Sequence, residues 1–139
     1  MCGIVGIKSA STELTRRGFE EICSTLEHRG PDASGIYIDS DSGFALGHKR
    51  LTIIDLTSEA DQPMESQDTS LSIVYNGEIY NYRDLRNSLE NLGHSFRTHS
   101  DTEVVLEAYI EWGNRCVDRF EGMFAFGVLD KKVGRLFLA

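Results

Sequence analysis

Cys2 stands directly behind the initiator methionine. With Met1 removed it carries a thiol and a free α-amine on one residue. The sulfur is a nucleophile as its thiolate, and an α-amine titrates at about 7.7–8.0 in a model peptide, so nucleophile and base arrive together. Acyl transfer of this kind builds negative charge on the substrate oxygen and needs hydrogen-bond donors aimed at it. Asn76-Gly77 can supply them: Asn offers a side-chain NH2, and Gly lets its backbone N–H approach without a Cβ. Standing alone, the same dipeptide is as readily a turn. Arg50 presents a fork able to take a carboxylate bidentately, or it is a solvated surface arginine. Glu78 and Asp101 can each accept from an ammonium, although an acid in the first turn of a helix is favoured by the dipole in any case. A carboxylate clamp, two acids and an acyl nucleophile together describe an α-amino acid with a side-chain carbonyl, such as glutamine or asparagine. Spacing alone does not bring these residues to one place.

Elements must carry these groups. Gly3-Ile4-Val5-Gly6-Ile7 reads as a buried strand that anchors Cys2 inside a sheet. Residues 9–12 are polar and loop-like. Phe19, Ile22, Cys23 and Leu26 share one helical face, closed by His28 and Arg29, with Gly30 at the C′ position and Pro31 forbidding continuation. Residues 34–38 and 44–48 read as strands about a turn at 39–43. Arg50 starts a third extended run over 51–54, and 55–70 is a polar loop. Residues 71–76 form a strand that stops at Asn76-Gly77. Tyr82, Leu85, Leu89 and Leu92 mark a helix capped by Asn81 and stopped by Gly93. Residues 96–98 are a short strand. Ser100-Asp101-Thr102-Glu103 is a capping box opening a helix with Val105, Ala108, Tyr109 and Trp112 on one face. Residues 116–120 read as a helical turn and 123–129 as a central strand buried on both sides. After a turn at 131–134 a new apolar strand begins at Arg135, and the chain stops inside it, which reads as truncation within a domain. The pattern is α+β with a largely antiparallel sheet.

The 139 residues suit one domain with its own core, and 40% hydrophobic with 26% charged residues is an ordinary globular composition. A net charge of −8 argues against a nucleic-acid backbone or an anionic membrane as partner. No apolar run approaches the roughly 18 residues of a membrane span, and no basic-then-apolar leader opens the chain. Three cysteines without CxxC spacing fit a reducing cytoplasm, with Cys23 and Cys116 as small buried hydrophobes. The four histidines have no metal-ligand spacing with the cysteines, and there is no phosphate loop or GxGxxG.

Seven ordered blocks then resemble a known family: Met1-Cys2-Gly3-Ile4-Val5-Gly6, His28-Arg29-Gly30-Pro31-Asp32, Gly47-His48-Lys49-Arg50-Leu51 through Asp55-Leu56, Gln62-Pro63-Met64, Tyr75-Asn76-Gly77-Glu78-Ile79-Tyr80-Asn81, Ser100-Asp101-Thr102-Glu103, and Phe120-Glu121-Gly122-Met123-Phe124-Ala125-Phe126. The chain is similar, over nearly its whole length, to the N-terminal glutaminase domain of the asparagine synthetase (glutamine-hydrolysing) family, among the class II, N-terminal-nucleophile glutamine amidotransferases. The first block alone also fits the glutaminase domains of glucosamine-6-phosphate synthase or phosphoribosylpyrophosphate amidotransferase. The second, third and last blocks favour the asparagine synthetase branch.

The resemblance implies a four-layer αββα sandwich with two mainly antiparallel sheets, residues 1–139 forming one C-terminally incomplete glutaminase domain with the synthetase domain absent. It implies that Cys2 forms a glutamyl thioester with its own α-amine as base. Asn76 and Gly77 form the oxyanion hole, Arg50 holds the glutamine α-carboxylate, and Glu78 and Asp101 hold its α-ammonium. Backbone contacts come from the run Arg50, Leu51, Thr52, Ile53 and Ile54. The implied reaction is glutamine plus water to glutamate plus ammonia, feeding ATP-dependent asparagine synthesis from aspartate in a full-length parent. No cofactor is expected in this domain; ATP and Mg belong to the synthetase domain. Expected partners are L-glutamine and that synthetase domain, with a homodimer left open, no nucleic acid and no membrane. The alternatives are a parent that amidates a sugar acid in polysaccharide synthesis, and a non-catalytic truncated fragment.

Overall fold

The structure is a computed structural model and describes residues 2–9, 15–52 and 58–139, with only the backbone of Ser58. Expectations for Met1, for positions 10–12, for Ile53 and Ile54 and for 55–57 lie outside the described residues.

Two antiparallel sheets stack face to face. The first contains β1 (Gly3–Lys8), β2 (Ala33–Asp39) and β3 (Phe44–Arg50) in the order β1-β3-β2. The second contains β4 (Met64–Glu65), β5 (Leu71–Ile79), β6 (Gly122–Asp130) and β7 (Arg135–Leu138) in the order β4-β5-β6-β7. Three helices cover them: α1 (Arg16–Ser24), α2 (Tyr82–Asn91) and α3 (Asp101–Trp112).

The layering follows from side-chain alternation along the strands. On β3, Ala45 joins Phe19 and Cys23 of α1, while Phe44 and Leu46 face the second sheet. From the second sheet Val74 and Leu129 complete that inner layer, with Ile4, Tyr37 and Leu136 packed at its margins. The alternate residues Ile73, Tyr75, Phe126 and Val128 turn the other way and bury Leu85 and Leu89 of α2 and Val104, Val105 and Ala108 of α3. Helix, sheet, sheet, helix is thus the αββα stack that the resemblance implies. The hairpin turns share a device. The Asp39 carboxylate accepts from the Asp41 and Ser42 amides in the β2–β3 turn, and Asp130 does the same for Lys132 and Val133 in the β6–β7 turn.

Several local expectations are corrected. β1 lies at the edge of its sheet and only Gly3 in it is buried, so Cys2 is anchored on a sheet margin. α1 ends at Ser24, and a separate 3₁₀ turn spans Glu27–Arg29. Gly30 has φ −156°, which is extended backbone and not a left-handed cap. It is glycine because a Cβ there would sit 2.2 Å from the Lys49 carbonyl oxygen. Arg50 closes β3 instead of opening a strand, and Leu51 and Thr52 are irregular. β5 runs through Asn76-Gly77 to Ile79, so this dipeptide is not a turn. The stretch 96–98 is not a strand, and the loop expected over 55–70 contains β4 and a 3₁₀ turn, Ser58–Ala60.

The caps also differ from the pattern. The Asn81 side chain does not cap α2; it bonds the Arg119 carbonyl and the Glu121 amide, tying α2 to the start of β6. Ser100 does cap α3, accepting from Thr102 N–H. The Glu103 carboxylate, however, reaches back beyond the cap to the Arg97 and Thr98 amides and the Thr98 hydroxyl. α3 is buried all round from Asp101 to Tyr109 instead of on one face. β6 is internal as expected, but its first half emerges, with Met123 73% exposed.

Candidate active site between the sheets

A cavity of about 250 Å³ is lined by residues of both sheets and of α3. Seven of the residues nominated from sequence line it: Cys2, Arg50, Leu51, Asn76, Gly77, Glu78 and Asp101. Thr52 does not; its N–H donates instead to Asp32 at 2.8 Å. Ile53 and Ile54 are outside the described residues. Gln62, Tyr75, Thr102 and Met123 line the cavity too and were quoted only as parts of motifs. A second cavity of about 600 Å³, beside His94, Glu107 and Lys132, contains none of the nominated residues.

β1 delivers Cys2. Gly3 pairs with Lys49, so the next antiparallel step sets Cys2 beside Arg50. Leu51 N–H donates to Cys2 Sγ at 3.4 Å, and the thiol lies 3.6 Å from the Leu51 carbonyl oxygen. Arg29 Nε donates to the Cys2 carbonyl at 3.1 Å. The 3₁₀ turn carrying Arg29 thereby fixes the backbone of Cys2, a role hidden in sequence because Arg29 reads as a helix end.

β5 delivers the donors, and its hydrogen-bond parity shows how. Even positions bond toward β6: the Ser70 carbonyl accepts from Lys131 and Tyr80 N–H donates to Glu121. Odd positions face the opposite edge. There the Leu71 carbonyl meets Ser66 of the β4 side. Tyr75 N–H meets Gln62 Oε1 at 2.6 Å and the Tyr75 carbonyl meets His48 Nε2 at 3.2 Å. Ile79 N–H meets Asp101 Oδ2 at 3.2 Å. Gly77 lies between, beyond the reach of β4, and its N–H points to the cavity side. No side chain fits at position 77, since a Cβ would approach Met123 O to 2.4 Å and Phe124 Cα to 2.6 Å. Asn76 projects on the opposite, sheet-facing side, as Val74 does, and lines the cavity.

The charged groups flank these donors. Arg50, with 9% of its side chain exposed, is held by Asp61 at 2.5 Å, a contact that sequence spacing did not suggest. Glu78 is exposed at the rim. Asp101 is 5% exposed and accepts from Tyr75 OH at 2.7 Å. Burial pushes its carboxyl up, and the bonds from Tyr75 and the neighbouring amides offset this only in part. Burial, then the Asp101 charge, push the Tyr75 phenol far above its ordinary value, so it stays a donor. Burial pushes His48 down to about 4, leaving a neutral ring. The Tyr75 carbonyl can only accept, so His48 Nε2 carries the hydrogen, and its Nδ1 has no partner among the described residues. No group of three or more His, Cys, Asp or Glu that could hold a metal occurs among the described residues. None of the described helices is long and apolar enough to cross a membrane.

The stacked antiparallel sheets between helical layers, with a cysteine at the head of an edge strand, define the class: an N-terminal-nucleophile amidotransferase fold. The glutamine phosphoribosylpyrophosphate amidotransferase of B. subtilis superposes with a TM-score of 0.68 at 25% identity, over 94% of this chain and 35% of that one. The chain belongs to the glutamine amidotransferase domain family, whose model matches residues 1–139. Glutamine-hydrolyzing asparagine synthetase 3 of Bacillus subtilis is 41% identical over 143 residues, covering 100% of this chain and 23% of the relative. Its Arabidopsis thaliana counterpart, also numbered 3, is 42% identical over 134 residues, 95% of this chain and 22% of that protein. The chain thus spans less than a quarter of the length of these curated relatives.

Proposed function

We propose that this domain hydrolyses L-glutamine to glutamate and ammonia through a thioester on Cys2. The observation that carries the reading is the cavity itself, which gathers Cys2, the outward N–H of Gly77, Arg50 and Asp101 within about 250 Å³. With Met1 removed, the Cys2 amine takes the thiol proton and the thiolate attacks the side-chain carbonyl carbon of glutamine. The oxygen, now negative, is received by Gly77 N–H and the Asn76 amide. The Cys2 ammonium returns its proton to the departing nitrogen, ammonia leaves, and the acyl group stays on sulfur. Water, deprotonated by the same amine, then attacks the thioester and releases glutamate. Arg50 takes the α-carboxylate, and Asp101 with Glu78 takes the α-ammonium.

In the longer parent that we infer from the relatives, the ammonia passes to a synthetase domain that uses ATP and Mg to make asparagine from aspartate. We place that protein in the cytoplasm, a reading supported by three free cysteines. The test is ammonia release from glutamine by wild type and Cys2→Ala, with intact mass reporting Met1. Wild-type protein starting at Cys2 is active and Cys2→Ala is not; equal activity in both would sink the assignment.

A further inference from the structure

Tyr75 is fastened at every polar atom by a different part of the fold. Its N–H is held by Gln62 from the segment before β4, its carbonyl by His48 of β3, and its hydroxyl by Asp101 of α3. Gln62 is fixed in turn, donating to the Thr102 hydroxyl at 3.1 Å. Tyr75 is 3% exposed and Asp101 5%. Both bonds that reach the Asp101 carboxylate from β5, from Tyr75 OH and Ile79 N–H, end on Oδ2. With the Asp101 and Thr102 amides also bonded to it, the carboxylate is held in one orientation at the cavity wall that it lines.

We propose that Tyr75 is the positioning residue for the substrate's α-ammonium, fixing the Asp101 carboxylate at the cavity wall and thereby setting the preference for a substrate with a free α-amine. This rests on the glutaminase reading above. Tyr75 does not touch the reacting amide; it acts through Asp101. The other ionisable groups lining the cavity are Cys2, Arg50 and Glu78, and α2 and β7 contribute none. A hydroxyl donating to a carboxylate stabilises the ionised form, so losing it raises the Asp101 pKa.

The experiment compares the full chain with Tyr75→Phe, which keeps the ring and its packing. KM for glutamine rises roughly tenfold, as for loss of a bond to a charged group, while kcat stays within about threefold. Turnover of 4-carbamoylbutanoate, which is glutamine without its α-amine, is the same for both proteins. In a Cys2→Ala background, glutamine binding weakens on the acid side, and Tyr75→Phe moves that midpoint to higher pH. Replacing Tyr75 by 3-fluorotyrosine, a stronger donor of nearly the same shape, moves it to lower pH and keeps the test alive should the phenylalanine variant fail to fold. An unmoved midpoint in both, or an equal loss on both substrates, overturns the proposal. Absence of wild-type glutaminase activity overturns the reaction instead, so the two failures are distinguishable.

Discussion

Leu51 brackets the Cys2 thiol with its own backbone, its N–H donating to Sγ at 3.4 Å and its carbonyl oxygen lying 3.6 Å from the same sulfur. The backbone of one residue thus offers the sulfur both a donor and an acceptor. The contact exists because β3 stops at Arg50, which frees the Leu51 backbone from a sheet ladder just where β1 brings in Cys2.

Gly77 and Asn76 separate rate from stability. Gly77→Ala forces a Cβ to within 2.4 Å of the Met123 carbonyl oxygen, so the strand pair must shift. The variant loses about 10²–10³ in kcat as the donor moves off target, and about 1–3 kcal/mol of stability. Asn76→Ala removes an amide without a clash and loses rate alone. Glutaminase assays with thermal melts on both variants check this, and an Asn76→Ala melt as low as that of Gly77→Ala would contradict it.

Glu103 is a structural anchor with a long reach. Its carboxylate, 1% exposed, accepts from the Arg97 and Thr98 amides and the Thr98 hydroxyl. Glu103→Ala strands these donors and loosens the segment that leads into Asp101. The expected loss is about 3 kcal/mol, read as a drop of several degrees in melting temperature. A change of less than one degree contradicts the assignment.

His48 makes stability depend on pH. Its folded pKa is pushed down to about 4 by burial, against about 6.5 for an unfolded chain. Between those values the unfolded chain binds a proton that the folded one refuses, so stability falls as pH drops from about 6.5 toward 4, by about 3 kcal/mol at full extent. His94 has the opposite sign. Burial lowers it, but bonds to Glu111 and Glu107 outweigh burial and leave it raised, so its contribution is present at low pH and lost as pH rises. Comparing melts at pH 7 and pH 5 for wild type and His48→Gln isolates His48. The gap narrows in the variant, and an unchanged gap rules the assignment out.

Much of this site is legible in the sequence. Cys2 and Arg50 were found because a thiol behind a methionine and a fork beside apolar strand residues each suggest one kind of chemistry. The layered stack followed from the resemblance, and its antiparallel character from short turns between strands. Asn76-Gly77 was half legible. Local propensity writes a turn there, and cross-strand packing overrides it, because Phe124 closes over the space that glycine leaves. Tyr75, Gln62 and His48 were hidden because their roles are contacts across layers, 13 residues apart for Gln62 and 27 for His48, and periodicity reports only which face a residue occupies. Ser100-x-x-Glu103 misled by half for the same reason: the serine acts locally and the glutamate does not.

The inner core layer has a further meaning. Cys2 rides on the first sheet, and Asn76 and Gly77 belong to the second. The width of the gap between them is set by what lies between the sheets, chiefly Phe44, Leu46, Val74 and Leu129, and by the His48 clasp on Tyr75. Those side chains work as shims in a vice. Thickening one by a methylene would open the jaws far from any reacting atom, and turnover would register the change as a gauge of intersheet spacing.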